Sequence, residues 1–137
     1  MSVQVSLHST GPVLLVEDSP EETLIATWCY KRSRLRNPLQ TLASGQALLT
    51  HIERVLKGTE PLPAMILLDI NMPDVNGFET LDQLRRCAYL DEVPVLMLTN
   101  SDSPSDLRQA RELGADGFQT KPLMTQEFIA FFDSLAS

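Results

Sequence analysis

The sequence predicts an α/β fold of the (βα)5 type, in which five short strands alternate with five helices. Three continuous apolar runs, Val13–Val16, Met65–Leu68 and Val95–Leu98, are typical of parallel strands that are covered on both faces. Helix-start signals lie between these runs, so each strand is expected to lead into a helix. Because strand–helix–strand connections are right-handed, we expect one parallel five-stranded sheet in the common order 2-1-3-4-5, with helices on both faces.

The remaining elements follow from local signals. Leu39–Ala43 and Ala115–Thr120 are less apolar and are predicted to be the second and fifth strands. The first helix begins at Ser19-Pro20-Glu21-Glu22, where a serine N-cap, a proline at the first helical position and a glutamate at the third agree. Similar signals begin the third helix at Asn76-Gly77 and the fourth at Ser103-Pro104, and Gly114 ends the fourth helix. The last helix begins at Thr125, and its core face carries Phe128, Phe132 and Leu135.

Composition and length limit the function classes. A net charge of −7 and a pI of about 4.7 disfavour nucleic acid and anionic membranes as direct partners. No apolar run is long enough to cross a bilayer, and no secretory signal opens the chain. Cys29 and Cys87 are far apart and form no C-x-x-C pattern, which predicts reduced thiols and a cytoplasmic location.

The 137 residues predict one domain. Residues 1–11 have the character of a loose leader, and residues 12–137 hold all the predicted strands and helices. Only 16 residues follow Lys121, which is enough for one helix. We therefore expect no DNA-binding or enzymatic output module.

Polar side chains stand at the predicted C-terminal ends of four strands. Glu17-Asp18 follows the first strand, Asp69 the third and Lys121 the fifth, and Thr99 ends the fourth. Ligands bind at this edge of an open parallel sheet, so the three acids and the lysine predict a site for Mg²⁺ and a phosphoryl group. Asp18 and Asp69 can each give the cation one oxygen, and Asp69 can form an aspartyl phosphate. Lys121 can neutralise phosphate oxygens, while Thr99 can donate its hydroxyl.

Each of these residues also has a structural explanation. Glu17-Asp18 would be favourable at a helix N-terminus, and Asp69 could cap a turn. Lys121 could be a solvated loop lysine and Thr99 only a β-branched residue at a strand end. Phe118 could simply fill the core. The three acids, Lys121 and Thr99 all stand at matching strand ends, and that agreement favours a metal and phosphoryl site over separate structural roles. Two other functions stay open. One is a phosphohydrolase with an aspartate nucleophile, against which Asn71 counts, because such enzymes commonly carry a second aspartate there. The other is a scaffold that never takes phosphate, which the intact set disfavours.

The strand-end motifs resemble the receiver domain of two-component response regulators, a CheY-like domain, here of the stand-alone type. The resemblance implies a flavodoxin-like (βα)5 fold and phosphorylation of Asp69 by a sensor histidine kinase. It also implies dependence on Mg²⁺, with Mn²⁺ as a substitute. It covers nearly all of residues 13–135 and rests on Leu14–Asp18, Leu67–Pro73, Asn76-Gly77, Leu98-Thr99, Gly114-Ala115 and Lys121-Pro122.

The resemblance implies roles for individual metal ligands. Asp18, Asp69 and the backbone carbonyl of Asn71 would bind the cation. Glu17 replaces an aspartate that is common at this position in the family. Its longer side chain is expected to contact the metal through water.

The resemblance also implies a switch. Thr99 would be the switch hydroxyl, Lys121 the phosphate-binding lysine and Phe118 the switch aromatic, in place of the usual tyrosine. A cis peptide bond is expected between Lys121 and Pro122. The positions expected to tune access to the phosphoacceptor and phosphate lifetime are Asn71, Asn100 and Ser101.

The signal is expected to leave by protein–protein contact or phosphate relay. The predicted exit is a face formed by the fourth helix, the fifth strand and the fifth helix, and we expect a homodimer. The chain is similar to stand-alone regulators paired with bacterial phytochrome kinases in its leader, its Gly58–Pro63 loop and the motifs Asn71–Pro73 and Leu98–Ser101. Another hybrid or cytoplasmic kinase stays open as the donor. A phosphotransfer protein is a further expected partner. The candidate interface residues are Leu107, Arg108, Arg111, Ile129 and Phe131.

Overall fold

The computed structural model describes residues 9–70, 76–100, 103–122 and 124–136, and its strands form one parallel sheet. The (βα)5 prediction is confirmed, since each strand leads into a helix. The strands are β1 (Val13–Val16), β2 (Leu39–Leu42), β3 (Met65–Asp69), β4 (Val95–Thr99) and β5 (Gly117–Thr120). The helices are α1 (Pro20–Arg32), α2 (Gly45–Leu56), α3 (Gly77–Arg85), α4 (Pro104–Glu112) and α5 (Thr125–Leu135), and a short 3₁₀ helix spans Ala88–Leu90.

The sheet order β2-β1-β3-β4-β5 confirms the predicted topology. Val16 at the end of β1 pairs with Leu42 on one side and with Leu68 on the other. Further along β3, Asp69 pairs with Leu98. The carboxyl ends of these four neighbouring strands therefore lie at the same edge of the sheet.

Some strand boundaries differ from the prediction. β3 and β4 each run one residue further, through Asp69 and Thr99, because the ladder to the neighbouring strand continues to these residues. β5 begins at Gly117 instead of residue 115. The cause is that the Ala115 N–H still donates to Ala110 O, at 3.0 Å, in the turn that ends α4.

Side chains alternate between the two faces of the sheet and form two apolar clusters. Leu14 and Val16 belong to the cluster under α2, α3 and α4, whereas Val13 and Leu15 belong to the cluster under α1 and α5. This alternation buries both faces of β1, as its apolar run predicts. In the second cluster Phe132 is fully buried, which confirms the predicted core face of α5.

Caps place the starts of α1 and α3 beside the predicted site. The Ser19 hydroxyl accepts the Glu22 N–H at 3.3 Å, and the Asn76 side-chain oxygen accepts the Glu79 N–H at 3.0 Å. Gly114 has a φ of +102°, in the left-handed region, and ends α4 as predicted. Both α1 and α3 therefore start from a side-chain cap on the carboxyl side of the strand that precedes them.

Asn37 forms hydrogen bonds to residues 9–11, the part of the predicted leader that the structure describes. Its side-chain amide donates to Ser9 O at 3.0 Å and to Gly11 O at 2.7 Å. Residues 1–8 lie outside the described residues. Among the helices that the structure describes, none combines the length and the apolar character needed to cross a bilayer.

Candidate metal and phosphoryl site

Three carboxylates meet at the carboxyl edge of the sheet. Glu17 and Asp18 follow β1, Asp69 ends β3, and each offers an oxygen within 4.8 Å of the others. Glu17 and Asp69 are buried, whereas Asp18 is exposed. The Ser19 N–H donates to Glu17 Oε2 at 3.2 Å, which fixes this carboxylate beside the start of α1. A donor set made only of oxygens suits a hard divalent cation such as Mg²⁺ or Mn²⁺.

The Lys121 ammonium lies among carboxylates from three elements of the fold. Its Nζ is 2.7 Å from Glu17 Oε1, 3.1 Å from Glu22 Oε1 and 3.3 Å from Asp69 Oδ2. The Lys121 side chain is only 10% exposed. Its backbone N–H donates to Thr99 O at 2.7 Å, which ties the end of β5 to β4. The Lys121 ammonium is therefore held next to Asp69, the predicted phosphoacceptor.

The predicted cis peptide bond between Lys121 and Pro122 is wrong. The structure has no cis bond among its described residues, which include both of these positions. A cis turn was expected to aim the lysine over Asp69. The backbone hydrogen bond to Thr99 and the long lysine side chain already bring Nζ within 3.3 Å of Asp69 Oδ2, so a cis turn is not required.

Burial and crowding of charges shift the pKa values in the site. Burial, together with the nearby charge of Asp69, raises the pKa of Glu17 to about 7, although the hydrogen bond from Lys121 opposes the shift. Burial alone would lower the pKa of Lys121, but its hydrogen bond to Glu17 and the charge of Asp69 outweigh burial and raise it. The site holds more negative charge than one lysine balances, and a divalent cation would compensate this excess.

Thr99 and Phe118 occupy neighbouring strands behind the carboxylates. Thr99 ends β4 and is fully buried. Phe118 on β5 is also buried and packs into the cluster under α2, α3 and α4. A cavity of about 210 Å³ lies beside Phe118, between α4 and β5, and is lined in part by Leu107 and Arg111. The ring therefore has space next to it, as a residue that changes rotamer would require.

The residues expected to tune access and phosphate lifetime are only partly described. Asn71, whose carbonyl is the predicted third protein ligand of the metal, lies outside the described residues, and so does Ser101. Asn100 is exposed directly after β4. The roles given to these positions stay predictions.

The candidate interface residues lie on both sides of the edge strand β5. Arg108 and Arg111 on α4 are exposed, and Leu107 is half-buried. Ile129 and Phe131 on α5 are also half-buried and pack against the cluster under α1 and α5. These residues therefore border the edge strand on both faces of the sheet.

Sequence reasoning missed the contacts of three residues, two beside the site and one at the opposite edge of the sheet. Glu22 was assigned only to the start of α1, yet it contacts Lys121. A Cβ at Gly77 would lie 2.5 Å from Asp69 O, so only glycine lets α3 start this close to β3. Arg85 reaches several backbone carbonyls around the start of β4. The Asn76-Gly77 pair was the one available signal. Glu22 meets Lys121 across 99 positions, and neither capping nor periodicity indicates which carbonyls Arg85 reaches.

A parallel sheet that presents acids and a lysine at its carboxyl edge is an open α/β domain of the ligand-binding class. This chain belongs to the response regulator receiver domain family, whose model matches residues 13–133. The resemblance inferred from the motifs is therefore confirmed. Receiver domains are signalling domains that accept a phosphoryl group from histidine kinases.

Several named proteins are similar over most of the chain. The probable methanogenesis regulatory protein FilR2 of Methanothrix harundinacea is 33% identical, over 84% of this chain and 74% of FilR2. Response regulator Rcp1 of Synechocystis is 31% identical, over 80% of this chain and 75% of Rcp1. The crystal structure of Mn²⁺-bound Rcp1 has a TM-score of 0.77 and 28% identity, and covers 89% of this chain and 88% of that chain. The bacteriophytochrome response regulator RtBRR is 35% identical, with a TM-score of 0.76, over 92% of this chain and 78% of that chain.

Proposed function

We propose that Asp69 accepts a phosphoryl group from a sensor histidine kinase, in a reaction that depends on Mg²⁺ and that Mn²⁺ also supports. One observation carries the proposal. The buried Asp69 carboxylate lies 3.3 Å from Lys121 Nζ and within 4.8 Å of oxygens of Glu17 and Asp18. Positive charge from the lysine and from a cation would thus flank the carboxylate that attacks. The Mn²⁺ bound to Rcp1 supports a divalent cation in this family.

The transfer is a displacement at phosphorus. A carboxylate oxygen of Asp69 forms the new O–P bond while the N–P bond of the phosphohistidine breaks. The Lys121 ammonium stabilises the phosphoryl oxygens, and the Thr99 hydroxyl donates a hydrogen bond to one of them. Asp18 and Asp69 would hold a divalent cation, Glu17 would help to hold it, and the cation would supply charge neutralisation.

Incubation with acetyl phosphate, read on a phosphate-retarding gel, tests the assignment. We expect the wild type to shift only when Mg²⁺ or Mn²⁺ is present. Asp69→Asn should abolish the shift, because an amide is a poor nucleophile. Asp91→Asn is the matched control, since Asp91 is an exposed aspartate before β4, at the opposite edge of the sheet. A shift that persists in Asp69→Asn would place the acceptor elsewhere and overturn the assignment.

We further propose that the signal leaves through the face formed by α4, β5 and α5, as a homodimer contact. The cavity beside Phe118 supports a rearrangement there when the Thr99 hydroxyl moves toward a phosphoryl group. Similarity to RtBRR supports a phytochrome-type kinase as the donor.

The output proposal is tested by light scattering and kinase binding of wild type, Thr99→Ala and Phe131→Glu, each with and without beryllofluoride. We expect Phe131→Glu to weaken association in both states and Thr99→Ala to remove the difference between states. Tyr89→Glu is the control, because Tyr89 is an exposed aromatic residue outside this face. Unchanged oligomer size and kinase affinity in both variants would exclude this face as the output surface.

A further inference from the structure

Glu22 touches the site although it belongs to neither the acidic pair nor the phosphoacceptor strand. It lies in the first turn of α1, and its Oε1 is 3.1 Å from Lys121 Nζ. The Glu22 side chain is 46% exposed. Glu17 and Asp69, which contact the same ammonium, are 6% and 4% exposed. Among these contacts, the one to Glu22 is therefore the one that water can replace most easily.

The chemistry of the ammonium makes these contacts compete. A lysine ammonium has three N–H donors, and the described contacts supply one carboxylate for each of them. A phosphoryl group on Asp69 would bring additional anionic oxygens. The reaction frees the N–H that now faces Asp69, because that carboxylate becomes the acyl phosphate. Lys121 can donate to a second phosphoryl oxygen only when it releases Glu17 or Glu22. Glu17 is held in place by the Ser19 N–H and faces the metal ligands, so it is poorly suited to leave.

We propose that Glu22 is a positioning residue that holds the Lys121 ammonium in the unphosphorylated state and competes with the phosphoryl group for it. The inference rests on the proposed phosphorylation of Asp69. Release costs little, because the half-exposed carboxylate of Glu22 becomes solvated as it turns away. Its charge also opposes the approach of an anionic phosphoryl donor. Glu22 thereby raises the concentration of donor at which the site fills.

Binding of beryllofluoride, a non-covalent phosphoryl mimic, at fixed Mg²⁺ tests the inference. Glu22→Gln keeps the length of the side chain and removes its charge. We expect the half-saturating beryllofluoride concentration to fall about three- to tenfold, in line with the modest strength of a partly exposed charged contact. The half-saturating concentration of acetyl phosphate should fall in parallel. The plateau of one phosphoryl group per chain should not change.

Glu21→Gln is the matched control. Glu21 is the other exposed acid in the first turn of α1, and the described contacts of Lys121 do not include it. It removes the same charge from the same helix end, so a general effect on the helix dipole would appear in both variants. Both variants should unfold at the same temperature.

Two outcomes overturn the inference: equal half-saturation in Glu22→Gln and Glu21→Gln, or weaker binding in Glu22→Gln than in wild type. Failure of the wild type itself to bind beryllofluoride and to shift with acetyl phosphate would instead contradict the proposed function. The two failures are therefore distinguishable.

Discussion

Replacing Glu17 with glutamine should change how the stability of the metal-free protein depends on pH. Burial and the charge of Asp69 raise the pKa of Glu17 from its ordinary 4.5 to about 7 in the folded protein. Between pH 4.5 and about pH 7 the folded state therefore binds the Glu17 proton more tightly than the unfolded chain does. The contribution of this group to stability is complete below about pH 4.5 and is lost as the pH rises through about 7.

The size of the effect follows from the two pKa values. If the whole difference is expressed, it corresponds to about 3 kcal/mol of unfolding free energy. Relaxation of the structure and water at the sheet edge reduce this amount, so we expect a loss of roughly 1–3 kcal/mol between pH 5 and pH 8. In Glu17→Gln the side chain has no proton to lose, and its Oε1 can still accept a hydrogen bond from Lys121. The variant should lack this component of the pH dependence.

Urea unfolding of both proteins in the presence of a chelator measures this difference. From pH 5 to pH 8 the stability of Glu17→Gln should rise relative to wild type by roughly 1–3 kcal/mol. Glu53→Gln, at an exposed position on α2, should follow the wild type. Added Mg²⁺ at pH 8 should stabilise the wild type more than Glu17→Gln, because the cation favours the ionised carboxylates. Parallel stability curves for wild type and Glu17→Gln would refute the reasoning.

Three further substitutions test the packing of the domain, one of them directly beside the site. Gly77→Ala should cost about 1–3 kcal/mol in urea unfolding and slow Asp69 phosphorylation, because the new Cβ would press on the Asp69 carbonyl. An unchanged phosphorylation rate would show that this contact does not position Asp69. Arg85→Ala should cost roughly 3–5 kcal/mol in the same assay. The reason is that the mostly buried Arg85 guanidinium donates to three backbone carbonyls and to Asp116 at 2.7–3.1 Å. A cost below about 1 kcal/mol would contradict a stabilising role for these hydrogen bonds. His51→Leu should leave the melting temperature unchanged or raise it, because the buried Nε2 has no hydrogen-bond partner among the described residues; a lower melting temperature would argue against that view.

Much of the fold could be predicted because its signals are local. The apolar run Val13–Val16 is buried on both faces, as a central parallel strand must be. The cap at Ser19 and the left-handed Gly114 lie where the sequence placed them. The predicted start of the edge strand β5 was less accurate, since its first predicted residues belong to the turn after α4. Consecutive residues carry the information for strands and caps, whereas a strand boundary also depends on where its neighbour ends.

The sequence by itself determined which residues could meet at the site. Once right-handed crossovers set the sheet order, Glu17, Asp69 and Lys121 had to share one edge. Only the tertiary structure decided how they meet. The trans bond before Pro122 replaced the expected cis turn, and the ammonium acquired Glu22 as a further partner.

The physical reason is distance along the chain. Lys121 contacts Glu17 and Glu22 across 104 and 99 positions, so these contacts depend on the packing of α1 against α5 and on side-chain length. Hydrophobic periodicity and capping motifs describe neighbours within a few residues and carry no information about such pairs. Which residue types stand at the strand ends is written in the sequence. Which carboxylate takes the lysine is decided by the fold.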